Sequence, residues 1–156
     1  MSVKAGDKAP VFSLYSSDKE SIALENSQGK NVVLLFFPMA FTSVCTAELC
    51  SMRDNMNVYE RLNAQVFGIS VDSIFTLNKF KTDQNLNFPL LSDFNKEVSK
   101  AYGAQYEEFV FGMKGVSKRA AFVIDKEGAV RYAEVLESAG DLPNFEAIQN
   151  TLAQLN

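Results

Sequence analysis

The chain has 156 residues, a formal net charge of −4, 47% apolar and 22% charged residues, and neither histidine nor tryptophan. This is the balance of a globular chain with a buried core, expected to form one domain over residues 1–156. The acidic charge without a dense Lys/Arg run excludes a nucleic-acid partner, and no apolar run approaches the roughly 20 residues that span a bilayer.

In chain order, Asn31-VVLLFF-Pro38 predicts a buried strand, a short β-branched and aromatic run closed by proline. A helical period follows over 44–62, with Leu49, Met52, Met56, Tyr59 and Leu62 on one stripe. Gln65 to Asp72 predicts a second buried strand, and Ser73 caps a helix that runs to about Leu86. Asn87 to Asp93 is extended, and Pro89 assigns it to a sheet edge or a loop flank. A helix over 94–102 stops at Gly103, and 104–118 is a long loop. Arg119 to Asp125, a Lys126-Glu127-Gly128 turn and Ala129 to Leu136 form a hairpin. Pro143 opens a final helix to Leu155. Alternating strands and helices that end in a hairpin predict an α/β fold, a mixed sheet with helices on both faces.

Without histidine the usual general base, the Cys-His and Ser-His pairs and the commonest metal ligand are missing. Two cysteines are too few for a four-ligand zinc site, so neither a metal nor another cofactor is expected. The first 20 residues carry no basic-then-apolar signal segment, which points to the cytoplasm, where most thiols are kept reduced.

Both thiols, Cys45 and Cys50, fall where the first strand gives way to a helix. Free N–H groups and the positive helix end favour a thiolate there. A free thiol with a pKa of about 8.5 is only a few per cent ionised at pH 7, and bringing such a group to about 6 takes about 3.4 kcal/mol. A helix end supplies about 0.3–2 kcal/mol, so a further cation is needed. Arg53, Arg61, Arg119, Arg131 and the lysines are candidates. Arg119, at the start of the hairpin's apolar strand, is the best placed. Thr42 is either a hydroxyl donor at the sulfur or a helix cap, and Pro38 either shields the sulfur or simply ends the strand.

Pro38-Met-Ala-Phe-Thr42-Ser-Val-Cys45 resembles the peroxiredoxin active-site pattern. Glu48 matches that family as well, as do Ser70-Val-Asp-Ser73, Phe88-Pro-Leu-Leu-Ser-Asp93 and Arg119-Ala-Ala-Phe-Val-Ile-Asp125. The likeness extends from Val3 to the final helix. It implies a thioredoxin-like fold and a thiol peroxidase acting on hydrogen peroxide and organic hydroperoxides. Cys45 is then the peroxidatic cysteine, Thr42 a hydrogen-bond donor to peroxide, Pro38 a lid, Arg119 the cation, and Glu48 a group that orients that arginine or its own helix. A thioredoxin, a glutaredoxin or a similar thiol reductant is implied as partner, with monomer and homodimer both open. Met39, Phe41, Phe109, Phe111 and Met113 suggest an apolar rim that would suit organic peroxides, or are core residues.

The role of Cys50 divides the readings. Its spacing from Cys45 resembles the PrxQ-like branch, where the second cysteine resolves the first in a disulfide. Ser43-Val44 departs from that branch's Pro-Gly, however, and Ala40-Phe41-Thr42 resembles the one-cysteine AhpE-like branch, where an external thiol would reduce Cys45. On a helix, residues five apart are separated by about 7.5 Å and turned by roughly 140°. That strains the disulfide limit of about 7 Å between Cα atoms. Resolution by Cys50 therefore requires the first turns to unwind, and otherwise Cys50 is a small packed side chain. Two rivals are a thiol–disulfide oxidoreductase, which would favour Cys-x-x-Cys, and a non-enzymatic redox sensor.

Overall fold

The structure is a computed structural model that describes residues 3–27 and 29–156. A hairpin, β1 (Ser13–Ser16) and β2 (Ser21–Ala23), opens the chain. Then come β3 (Asn31–Phe36), α1 (Ser43–Asp54), α2 (Met56–Arg61), β4 (Ala64–Ser70) and α3 (Ile74–Gln84). The chain ends with β5 (Leu90–Ser92), α4 (Glu97–Ala101), β6 (Arg119–Ile124), β7 (Val130–Leu136) and α5 (Phe145–Leu155).

The strands form one mixed sheet in the order β2-β1-β5-β4-β3-β6-β7. β3, β4 and β5 run parallel, and β6 lies antiparallel to β3. All six residues of β3 and of β6 are buried, because helices or loops cover both faces. Alternation divides them. Val33, Leu35 and Phe37 pack with side chains of α1, α2, α3 and α5, whereas Val32, Leu34 and Phe36 pack with α4 and the N-terminal segment. Two crossovers stepping the same way, β3 to β4 and β4 to β5, put their helices on one face, as right-handed connections require.

Several expectations need correction. β5 is an interior strand, paired with both β4 and β1, not an edge. Pro89 sits just outside it and needs no N–H, while its carbonyl accepts from Gly68 at 3.0 Å. The hairpin β1–β2 covers the edge assigned to residues 87–93, and its short, half-exposed strands carry little apolar signal. The 44–62 helix breaks at Asn55 (φ −113°, ψ 14°), whose side-chain amide donates to the Ser51 carbonyl at 2.9 Å and competes with the helical ladder.

The capping expectation at Ser73 agrees, its Oγ accepting from the Thr76 N–H at 3.1 Å. The helix expected over 94–102 begins only at Glu97, because Lys96 has a left-handed φ of 65°. Asn144, not Pro143, caps α5. Among the described residues, no helix is long and apolar enough to cross a membrane.

Candidate active site

β3 delivers the chain to a turn, residues 37–42, from which α1 starts. The Phe37 N–H still bonds to Ile69 O at 3.0 Å, so the turn begins from the sheet itself. The Ala40 N–H donates to Asp72 Oδ2 at 2.8 Å, and Ser70 Oγ donates to the same oxygen at 2.6 Å. Burial raises the Asp72 carboxyl above its ordinary value, offset in part by these two donors. Phe41 then adopts a left-handed φ of 66°, unfavourable for an aromatic residue, and its ring packs edge-on against Phe80.

Thr42 occupies the N-cap position of α1, but its side chain makes no cap. Its Oγ1 donates to the Met39 carbonyl at 2.8 Å and closes the turn on itself. The capping reading of Thr42 therefore holds for its backbone alone. The Thr42 side chain leaves the first-turn N–H groups uncapped, and Cys45 sits third in the helix, within that turn.

Cys45 is 1% exposed, Arg119 1% and Glu48 0%. β6 pairs with β3 in a register that sets Ala120 opposite Phe36, so Arg119 emerges at the end of β3 from which α1 departs. Its Nη2 donates to Cys45 Sγ at 3.3 Å and to the Ala139 carbonyl at 2.9 Å, and its Nη1 donates to Glu48 Oε1 at 2.6 Å. Glu48 lies three residues after Cys45, nearly one turn along α1, so helix and strand close a buried triad. Burial works against the Arg119 charge, but Glu48 and Cys45 outweigh it and hold the guanidinium above its ordinary value. Burial pushes the Glu48 carboxyl up to about 7 against the pull of Arg119. The two tendencies oppose each other. Because a guanidinium keeps its proton across this range, Glu48 is the member that titrates.

A cavity of about 240 Å³ opens onto the sulfur, lined by Pro38, Thr42, Val44, Cys45, Phe109 and Arg119 among others. Of the five residues suggested as an apolar rim, Phe109 alone lines it. Phe111 instead stands 97% exposed. Arg53, Arg61 and Arg131 are engaged elsewhere, with Asp54, the Asn57 carbonyl and Asp125. Cys50 is a free, half-buried thiol on the intact α1 and is not bonded to Cys45. Asp72 and the Ala139 carbonyl were not foreseen. Asp72 lay inside a motif already quoted, while a main-chain oxygen leaves no mark in a sequence. Among the described residues, no cluster of three or more His, Cys, Asp or Glu side chains could hold a metal ion.

Residues 5–133 match the profile of the AhpC/TSA family. The chain belongs to the AhpC/TSA family of peroxiredoxins. This peroxiredoxin is a thiol-dependent peroxidase of thioredoxin fold. It is 39% identical over 132 residues to the putative peroxiredoxin Bcp of Coxiella burnetii, covering 83% of this chain and 87% of that one. To peroxiredoxin Bcp of Escherichia coli K12 it is 38% identical over 132 residues, covering 83% and 84%. Among solved structures, the peroxiredoxin-like protein of Aquifex aeolicus superposes with a TM-score of 0.90 at 27% identity, over 100% of this chain and 90% of that one. Peroxidoxin BcpB of Mycobacterium tuberculosis gives 0.87 at 29% identity, over 99% of each chain.

Proposed function

We propose that Cys45 is the peroxidatic nucleophile, with Arg119, Thr42, Pro38 and the first turn of α1 as its catalytic surroundings. The observation that carries this reading is the Arg119 Nη2 to Cys45 Sγ bond of 3.3 Å beside a cavity that opens onto the sulfur. A guanidinium on sulfur favours the anionic, reactive form. The sulfur attacks one peroxide oxygen, the O–O bond breaks, and the other oxygen leaves with a proton as water or alcohol. Cys45 becomes a sulfenic acid. Negative charge moves onto the departing oxygen, where Arg119 and the N–H groups of Val44 and Cys45 stabilise it. The expected role of Thr42 as donor to peroxide changes with this geometry: its proton goes to the Met39 carbonyl, which leaves its oxygen to accept the O–H of the incoming peroxide. Pro38 walls the sulfur from solvent, and Glu48 holds Arg119 in place through the single Nη1–Oε1 bond.

Cys50 then resolves the sulfenic acid as an intramolecular disulfide once the start of α1 unwinds. A thioredoxin-like reductant in the cytoplasm restores both thiols. The 156 residues work as one domain, and the reductant is the protein partner this scheme requires, with monomer and homodimer both compatible with it. Phe109 beside the sulfur supports organic hydroperoxides as substrates along with hydrogen peroxide.

Stopped-flow oxidation with both peroxide types, followed by mass analysis, tests the scheme. Arg119→Met is expected to lower the second-order rate by about 10²–10³, the typical loss for one transition-state donor. A wild-type rate no faster than that of an ordinary exposed thiol would sink the catalytic reading. Cys50→Ser is expected to abolish the intramolecular disulfide while Cys45 is still oxidised. If oxidised wild type shows no such disulfide, an external thiol recycles Cys45 and Cys50 is a packing residue.

A further inference from the structure

The proposed attack by Cys50 leaves open what holds that thiol before it is needed. Cys50 Sγ donates to Oε1 of Gln84, the last residue of α3, at 3.4 Å. The same corner reaches α1 twice more. The Gln84 carbonyl accepts from Arg53 Nη1, and Asn87 Nδ2 donates to the Arg53 carbonyl at 3.3 Å. Asn85, left-handed at φ 52° and ψ 44°, turns the chain so that residues 84 and 87 both face α1. Residues 50 and 53 are neighbours on one side of the helix. The end of α1 that carries Cys50 is thus tied to α3, whereas the end that carries Cys45 is tied to β6 through Arg119.

We propose that Gln84 is a positioning residue for the resolving step, holding the Cys50 thiol on its helix until Cys45 has been oxidised. The inference rests on the resolving role argued above. The bond runs from S–H to oxygen, so it exists only while the sulfur keeps its proton. Attack on the sulfenic acid needs that proton gone and the sulfur moved toward Cys45, and either change breaks the bond. In the step itself the Cys50 sulfur supplies an electron pair to the Cys45 sulfur. The S–S bond forms and the S–O bond breaks, and the oxygen leaves with the Cys50 proton as water. Arg53, anchored on the Gln84 main chain and not on its side chain, keeps a positive charge within one turn of Cys50 while this happens.

Two substitutions at Gln84 separate the proposal from simple packing. Gln84→Met keeps the volume and the main-chain carbonyl but removes the acceptor. Gln84→Glu keeps an acceptor and makes it anionic. The readout is the disulfide-forming phase that follows Cys45 oxidation in a stopped-flow trace, referenced to the first phase of the same trace. With Gln84→Met that phase is expected to run about threefold to tenfold faster, the equivalent of one ordinary hydrogen bond. With Gln84→Glu it is expected to run about tenfold slower, since a charged acceptor grips the S–H harder. Mass analysis at high peroxide should show less Cys45 sulfinic acid in the first variant and more in the second. Loss of packing alone would move both variants in one direction, and that result, or wild-type rates in both, overturns the proposal. Wild type lacking the disulfide altogether would remove the resolving role itself, a failure distinct from the other two.

Discussion

Glu48 illustrates how one buried charge sets a pH dependence. Its carboxyl is 0% exposed and meets Arg119 through Oε1, while Oε2 has no protein partner among the described residues. Burial therefore raises it from the ordinary 4.5 to about 7, with Arg119 only partly restoring the ionised form. A folded-state value above the unfolded one means that the folded chain binds the extra proton between those two values. The stability from this group is then complete below about pH 4.5 and is lost as the pH rises through about 7. Glu48→Gln keeps an oxygen for Arg119 but cannot titrate. Comparison with that variant cancels every other group, including Asp72, whose shift has the same sign. Urea unfolding of both proteins from about pH 5 to about pH 8 should find wild type losing stability relative to Glu48→Gln as the pH increases. Parallel curves would mean that Glu48 stays ionised throughout.

The turn from β3 into α1 is the element on which catalysis depends, and it was only partly legible in the sequence. Pro38, Thr42 and Cys45 could be picked out by type and spacing. What could not be read was how residues 38–42 hold their shape, because the hold comes from Asp72, over thirty residues away, through the Ala40 N–H. Phe41, the next residue after Ala40, sits at φ 66° within this anchored turn, its ring against Phe80. The strained conformation survives only because its neighbours are fixed. Asp72→Ala leaves the Ala40 N–H and the Ser70 hydroxyl without their acceptor, which costs about 1–3 kcal/mol. The same change frees the turn that places Thr42 and Pro38 over the sulfur. A small displacement there is expected to slow peroxide reduction by about tenfold to a hundredfold, with Cys45, Arg119 and Glu48 all intact. Stopped-flow kinetics and urea unfolding of this variant check the two effects together, and full activity with lowered stability would show that the turn does not need its anchor for catalysis.

At the scale of the molecule, the buried runs of β3, β4 and β6 were readable because burial on both faces writes a continuous apolar signal. The β1–β2 hairpin was not, since Ser13-Leu-Tyr-Ser16 and Ser21-Ile-Ala23 are only four and three residues long, and their place beside β5 is a long-range choice no local pattern records. Helix α1 shows the opposite mismatch. Its sequence reads as a stable helix, while the proposed disulfide requires it to open. Between the two thiols lie Glu48 and Leu49, both 0% exposed, so pulling Cys50 to Cys45 disturbs the core as well as one turn. A cross-link closing so short a loop contributes about 2 kcal/mol by restricting the unfolded chain. Against it stand about 1.5–3 kcal/mol for exposing Leu49 and about 3–5 kcal/mol for breaking the buried Arg119 pair. Loss outweighs gain, so the oxidised protein should be less stable than the reduced one by a few kcal/mol, against the usual effect of a disulfide. With a fall in Tm of about 2–4 °C per kcal/mol at this size, scanning calorimetry of peroxide-treated and reduced protein will resolve the difference. An oxidised form that melts higher would mean that α1 accommodates the bond without releasing Leu49 and Arg119, and that the thiols meet by some movement other than unwinding.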